Sequence, residues 1–257
     1  MSRSDGRSFA LAVALVGTTT LAWFGVVRSY ATMQMSEGAE RFSLAGAAAF
    51  TWQWGVMMAA MMLPSAAPMI LLYRGASQRA AEAGERVLPA ELFALVYLAL
   101  WLLTGIPVYA ASIALGNFAA RSATFAGAMP YAVAATLIAA GIYQLTPAKR
   151  ACLAQCERPV DFLMRRWRTG YAATLRMAVA HGAYCIGCCW ALMVVLVAAG
   201  AMSLPWVLAI SLAVFAEKVL PAGGRTAWII GVALMGAGIA VTAKPELAVL
   251  LMPRGMP

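Results

Sequence analysis

The chain has 257 residues, of which 63% are hydrophobic and only 11% are charged. Soluble globular domains carry charge at roughly a quarter of their positions, so this composition excludes an ordinary soluble domain and indicates a protein of the lipid bilayer. The formal net charge of +9 raises the question of a nucleic-acid partner. The basic residues lie in short segments between apolar runs, however, where they are typical of topology signals, and we expect no nucleic-acid binding.

Seven apolar runs predict seven transmembrane helices, because backbone groups in hydrocarbon must bond to one another within a helix. The runs lie at about 9–27, 47–73, 92–115, 129–145, 171–199, 204–220 and 228–243. The first is too long for a signal peptide and is interpreted as a retained span. Pro107 predicts a kink in the third. The fold prediction is an all-α, polytopic helical bundle that forms a single integral membrane domain over residues 1–257.

Charged segments connect these runs at 28–41, 74–91 and 146–168, and the second of them is expected to be partly helical. With the N-terminus inside, most of the nineteen lysines and arginines fall on the cytoplasmic side. The positive-inside rule therefore predicts an N-in, C-out orientation. The expected partners are the lipid bilayer and a membrane or periplasmic protein, and the oligomeric state is left open.

The fifth run contains the only histidine and three of the five cysteines, in the sequence HGAYCIGCCW that begins at His181. At about 100° per residue, His181, Cys185 and Cys188 share one helical face, and Cys189 lies at its edge. The set spans about 12 Å of helix, which is too long for one mononuclear metal site. Three alternatives follow. Some of these four residues have only a structural role, or they form two metal centres, or the helix is locally broken at its glycines.

Thiolate and imidazole ligands suit zinc, copper or iron, and thioether sulfur favours monovalent copper. The second run offers thioethers at a spacing of four, from Met57 to Met61 and from Met58 to Met62, at the depth expected for the cysteines. The sequence thus predicts a soft transition metal, copper first, with zinc or iron as alternatives. Plain helix packing and thiol redox chemistry stay open for the cysteines, and core packing stays open for the methionines.

A second cysteine pair, Cys152 and Cys156, follows the fourth run on a predicted short helix that begins at Pro147. The two are candidate ligands at a metal entry point, and the alternative is a pair of interfacial cysteines without ligands.

Polar residues near the inner ends of spans four, five and six predict a polar vestibule below the cysteine face. Ionisable groups are costly inside a membrane and are therefore functional candidates. The vestibule residues are Tyr143, Gln144, Arg176, Glu217 and Lys218. An ion pair between Arg176 and Glu217 is the structural alternative to a proton or ion relay.

Three motifs together carry a family resemblance. They are Trp54 with the methionine segment to Pro68, the segment from Tyr143 to Cys156, and the segment from His181 to Met193 with Glu217, Lys218 and Pro221. Over about 50–222 the chain resembles a bacterial family of predicted metal-binding integral membrane proteins, domain of unknown function 2182. The resemblance implies a metal site at Cys152, Cys156, His181, Cys185, Cys188, Cys189 and the methionine segment. It implies no particular reaction, and the first and last runs lie outside it.

Three hypotheses follow. The leading one is an inner-membrane protein that binds copper or another soft metal and handles or delivers it, or serves as a subunit of a metal-dependent membrane complex. A membrane thiol–disulfide oxidoreductase would use Cys185 with Cys188, or Cys152 with Cys156. An ion-coupled transporter without metal would use Glu217 and Lys218. Whether the protein is an enzyme stays open.

Overall fold

The computed structural model describes residues 3–33, 43–198, 203–220 and 223–248. Within these ranges the chain forms helices and no strand, which confirms the all-α prediction. The helices are α1 (Arg3–Met33), α2 (Leu44–Glu82), α3 (Ala90–Leu103), α4 (Gly105–Arg121), α5 (Ala123–Leu145), α6 (Pro147–Glu157), α7 (Pro159–Arg166), α8 (Tyr171–Ala198), α9 (Leu204–Val219) and α10 (Gly223–Ala243). Much of the predicted loop at 28–41 lies outside the described residues, as does Pro221.

Six helical segments are long and apolar enough to cross a membrane, by length and composition. They are Phe9–Ser29, Leu44–Glu82, Ala90–Arg121, Gly127–Leu145, Tyr171–Ala198 and Gly223–Ala243, and they correspond to six of the seven predicted runs. The predicted sixth run forms α9, whose 16 residues fall short of the roughly 20 that the hydrocarbon core requires.

The third predicted span is interrupted at Thr104, between α3 and α4. Pro107 has no amide hydrogen to donate to the Leu103 carbonyl, so the helical ladder loses a hydrogen bond at this point. The Thr104 hydroxyl donates instead to the Trp101 carbonyl at 2.6 Å and accepts a hydrogen bond from the Trp54 indole at 2.9 Å. The break is therefore tied to α2.

The charged segment predicted at 74–91 is partly helical, because α2 continues to Glu82. Gly84 follows with a φ of 81°, a left-handed conformation that glycine adopts without steric cost. Arg74 then pairs with Glu91 across the turn. The ends of α2 and α3 are thereby held together.

The bundle is arranged around α2 and α8. α1 packs along α2, α5 packs along α10, and α8 contacts α3, α5, α6 and α9. Large apolar side chains cover the outer surface: Leu21 is 72% exposed and Leu212 is 68% exposed, whereas Lys149 and Glu217 are fully buried. Apolar groups outside and charges inside are the distribution expected for helices surrounded by lipid.

Three glycines allow the backbones of α5 and α10 to touch. A Cβ on Gly238 would lie 2.8 Å from the Ala134 carbonyl oxygen, and one on Gly141 would lie 2.6 Å from that of Gly231. Small residues at such crossings let membrane helices approach closely.

We predict that Gly238→Ala destabilises the bundle by about 1–3 kcal/mol, because the new methyl group meets backbone that must shift. Gly236→Ala is the control on the same helix, since no atom lies within 4 Å of its added Cβ. That control should be neutral or stabilising by up to about 1 kcal/mol, the difference in helix propensity. Denaturant unfolding in detergent measures both. Equal effects of the two variants would contradict the packing argument.

Candidate metal centre

Four thiols gather where α6 crosses α8. The Cys188 and Cys189 sulfur atoms are 3.3 Å apart, and those of Cys156 and Cys188 are 3.9 Å apart. The Cys185 thiol interacts with the other three. The three cysteines on α8 are at most 1% exposed, whereas Cys156 is half-buried. These four residues, called the thiol cluster below, are all free thiols.

The short helix α6 places Cys156 in this cluster. The Thr146 hydroxyl caps the helix by accepting a hydrogen bond from the Lys149 amide at 3.2 Å, and Pro147 occupies the first turn. The predicted short helix is thus confirmed. Cys152 lies one turn before Cys156, and its sulfur packs against Gly187, where an added Cβ would lie 2.9 Å away. Among the described residues no hydrogen bond joins Cys152 to another cysteine, so the structure separates this pair.

The Lys218 ammonium reaches the thiol cluster from α9. Its Nζ lies 2.9 Å from the Cys185 sulfur, 3.5 Å from the Ser65 hydroxyl and 4.0 Å from the Met62 sulfur. The Tyr97 hydroxyl lies 3.0 Å from the same Cys185 sulfur. Side chains of α3 and α9 therefore meet at the Cys185 sulfur of α8, and two side chains of α2 contact the Lys218 ammonium. Within the described part of the chain no carboxylate bonds to Lys218. The groups that contact its positive charge are sulfur atoms and hydroxyl groups.

The four methionines named from the sequence are fully buried. Met58 and Met62 share a face of α2 with Ser65, since spacings of four and three return to the same side of a helix. Met62 thus contacts Lys218 directly, and Met58 lies one turn away on that face. Met57 and Met61 point about 100° around the helix. Among the described residues, Met62 is the methionine with a contact to the Lys218 ammonium, and a ligand role for the four methionines stays a prediction.

His181 lies one helical turn before Cys185, inside a cage of aromatic rings. Its ring centre is 6.0 Å from that of Phe93, 5.6 Å from that of Tyr97 and 5.5 Å from that of Phe162. The side chain is buried, and its Nδ1 has no hydrogen-bond partner among the described residues. A buried polar atom without a partner is uncommon in folded proteins, which makes this nitrogen a candidate ligand atom.

The predicted vestibule does not form as one site. Gln144 and Glu217 are buried together, whereas the Tyr143 hydroxyl donates to the Gly187 carbonyl at 2.6 Å, and Arg176 lines an open cavity on another side of α8. The proposed pair between Arg176 and Glu217 is wrong. The sequence indicated Lys149 only as one of the basic residues that determine membrane topology. In the structure Lys149 extends from α6 and pairs with Glu217.

The Lys149–Glu217 pair is completely buried, with Nζ and Oε2 at 2.6 Å. The Gln144 amide donates to the other carboxylate oxygen at 2.6 Å, and Lys149 also donates to the Cys188 carbonyl at 2.5 Å. Burial acts to lower the pKa of Lys149, but the negative charges of Cys189, in its thiolate form, and of the Glu217 carboxylate outweigh it, so this pKa lies above its usual value. Lys149 therefore remains charged, and the pair holds α5, α6, α8 and α9 together.

Sequence reasoning missed Tyr97 as well as Lys149. Phe93, Tyr97 and Trp101 recur every four residues along α3 and are all buried. That spacing marks one helical face, and it was a signal for an aromatic surface turned towards the cysteines.

The donor set suits a soft metal, but its geometry is that of hydrogen-bonded thiols. Sulfur ligands at about 2.3 Å from a tetrahedral ion lie about 3.8 Å apart. The separation of Cys156 and Cys188 matches this value, and that of Cys188 and Cys189 is too short. In the described ranges no three His, Cys, Asp or Glu side chains already form a group that could hold a metal ion. Metal binding would require the thiols to rotate.

A family model described as a copper chaperone, PpoB2, matches residues 51–241. The chain belongs to this copper chaperone family. The finding agrees with the copper prediction made from the cysteines and methionines. Comparison with curated proteins and with solved structures gave no match. The match also extends beyond the resemblance at 50–222 and takes in most of α10, so the last predicted span is part of the family region.

We predict that Glu217→Gln and Lys149→Met each destabilise the protein by about 3–5 kcal/mol, because each leaves one buried charge without its partner. The double variant should recover part of this loss, since it removes both charges. The comparison is Glu91→Gln in the pair with Arg74, where the carboxylate side chain is 54% exposed, and it should cost less than either substitution in the fully buried pair. Denaturant unfolding of the four variants measures the coupling. Strictly additive losses would contradict a direct pair.

Proposed function

We propose that this protein is a membrane copper chaperone that binds monovalent copper through its thiol cluster and passes it to a partner protein. The observation that carries the proposal is the convergence of four cysteine sulfurs from α6 and α8. Soft thiolate ligands select monovalent copper, and a nearby thioether strengthens that preference. Membership of the copper chaperone family supports copper over zinc or iron.

The four thiols have different access, which suggests different roles. Cys156 is half-buried and lies on a helix outside the candidate spans, so it is the residue that first meets incoming copper. Cys185, Cys188 and Cys189 are buried and hold the ion. Rotation of their χ1 angles opens the short contact between Cys188 and Cys189. Cys152 packs against Gly187 and takes no part.

Lys218 offsets the charge of the bound complex. A monovalent copper ion held by two thiolates carries one net negative charge, and such a charge is costly when it is buried without a counterion. The Lys218 ammonium already lies 2.9 Å from the Cys185 sulfur. Copper binding then displaces the ammonium by a small distance towards Ser65 and leaves the site close to neutral. Met62 and Met58 are the auxiliary thioether donors.

The proposed location is a bacterial inner membrane with the N-terminus inside, on the basis of the positive-inside rule and the six apolar helices. α6, α7 and the loop before α8 then face the cytoplasm, so copper enters from that side. The recipient is a membrane or periplasmic protein.

An ion-coupled transporter that uses Glu217 is less well supported. Both oxygens of that carboxylate are engaged, by Lys149 and by Gln144. A group that relays protons must be released during each cycle, and this buried network opposes such release.

We predict that the purified, reduced protein binds monovalent copper and that Cys185→Ser with Cys188→Ser abolishes the binding. Serine keeps the size of each side chain but replaces the soft sulfur with a hard oxygen. Elemental analysis after dialysis against a weak copper chelator measures the stoichiometry. Cys152→Ser is the matched control, and it should bind as much copper as the unchanged protein.

Unchanged stoichiometry in the double serine variant would remove the proposal. If thiol alkylation instead shows a reversible disulfide within the cluster and no bound copper, the oxidoreductase hypothesis takes its place.

We also predict that His181→Phe weakens copper binding while the protein stays folded. Phenylalanine fills the cage of Phe93, Tyr97 and Phe162 but removes the ring nitrogens. A competition titration with a coloured copper ligand should show a loss of affinity of about tenfold or more, the scale found when groups around a metal are removed. An unchanged affinity in a folded variant would assign His181 to packing alone.

A further inference from the structure

An arginine-rich cavity lies beside the thiol cluster, between α7 and the first half of α8. This open cavity has a volume of about 580 Å³. The residues that line it include Gln155, Arg165, Arg166, Arg168, Arg176 and Tyr184. Its volume is within the range of about 300–1,000 Å³ that is typical of small-molecule sites. The lining contains no acidic residue.

The positive charge of the cavity is not neutralised within the described part of the protein. The two ion pairs found there involve Arg74 and Lys149, so none of the four lining arginines belongs to one. Arg166 is held in place by its hydrogen bond to the Tyr184 hydroxyl at 2.7 Å and by stacking over the Phe162 ring at 5.6 Å. A concave site with several cations, of which Arg166 is held in place, attracts anions and repels a bare copper ion.

The cavity adjoins both helices that carry the thiol cluster. Gln155 immediately precedes Cys156, and Tyr184 immediately precedes Cys185. The Phe162 ring contacts both Tyr184, at 6.3 Å, and His181, at 5.5 Å. A ligand in the cavity therefore contacts the same two helices, α6 and α8, that carry the thiol cluster.

We propose that this cavity binds an anionic copper(I) complex of a small thiol compound that also bears carboxylates. Copper then reaches the thiol cluster as that complex rather than as a free ion. This proposal rests on the copper function proposed above. Arginine forms paired hydrogen bonds with carboxylates, which fits Arg165, Arg168 and Arg176 around one ligand. An anionic lipid headgroup would carry the same negative charge, but it brings no copper and gives no reason for a site near Cys156.

The transfer is a ligand exchange in which copper stays monovalent. A bond forms between copper and the Cys156 sulfur while a bond between copper and a carrier sulfur breaks. The Cys156 thiol proton leaves with the carrier thiolate, which departs as a thiol. No oxidant or reductant is required.

The first test measures anion binding without copper. Metal-free protein in phosphatidylcholine nanodiscs is titrated calorimetrically with S-methylglutathione, which keeps the carboxylates but has no free thiol, at low ionic strength. Arg168→Gln with Arg176→Gln should weaken the binding by about tenfold or more. The matched control is Arg150→Gln with Arg158→Gln, which removes the same charge from exposed positions outside the cavity and should change binding less than about twofold.

The second test measures copper transfer by stopped flow. Transfer from copper(I)–glutathione should slow by about tenfold or more in the Arg168 and Arg176 variant, whereas transfer from the cationic acetonitrile complex should be unchanged or faster, because less positive charge then repels it. Equal slowing in both double variants would show an effect of net charge alone and overturn the proposal. So would an absence of S-methylglutathione binding, or equally tight binding of glycerol 3-phosphate, which would assign the cavity to lipid. Binding of S-methylglutathione by a protein that takes up no copper would leave the cavity assignment standing and refute the copper function instead.

Discussion

The buried ion pair between Lys149 and Glu217 determines the arrangement around the cysteines. Two charges away from water are tolerated only when each is paired and fully hydrogen-bonded, and here Gln144 and the Cys188 carbonyl complete the set. The pair attaches the short helix α6 to the ends of α5 and α9. Cys156 lies two turns beyond Lys149 on that helix, so the helix that the pair anchors is also the one that places the Cys156 sulfur 3.9 Å from that of Cys188.

The two lysines act on the thiol cluster from different sides. Lys149 donates to the carbonyl of Cys188, and Lys218 contacts the sulfur of Cys185. Both are almost completely buried, so their fields are screened little by solvent. One carboxylate, Glu217, bonds to Lys149, and within the described residues none bonds to Lys218. The surplus positive charge favours an anionic occupant of the cluster, such as thiolate sulfurs around a monovalent cation.

The sequence predicted the helices better than it predicted the site. Long apolar runs determine where helices form, so the α-helical class and the six long segments followed from composition and length. A helical face likewise related Cys185 to Cys188. The contacts between separate helices could not be predicted in this way, because Lys149 and Arg176 are both basic residues near span ends. Only the crossing angle of α6 decides which of them reaches Glu217, and that angle depends on packing that no local pattern specifies.

The same packing explains why the family region includes α10 although α10 carries no candidate ligand. α10 lies against α5 through the contact of Gly141 with Gly231, and a Cβ on Gly231 would lie 2.9 Å from the Cβ of Gln144. α10 therefore supports the residue that orients Glu217, and through it Lys149 and α6. α1 packs mainly along α2, with its other contacts at α9, and lies outside the matched region. A helix without ligands can thus support the site by packing against a residue that positions other site residues. A search of the sequence for ligand residues alone does not find such a helix.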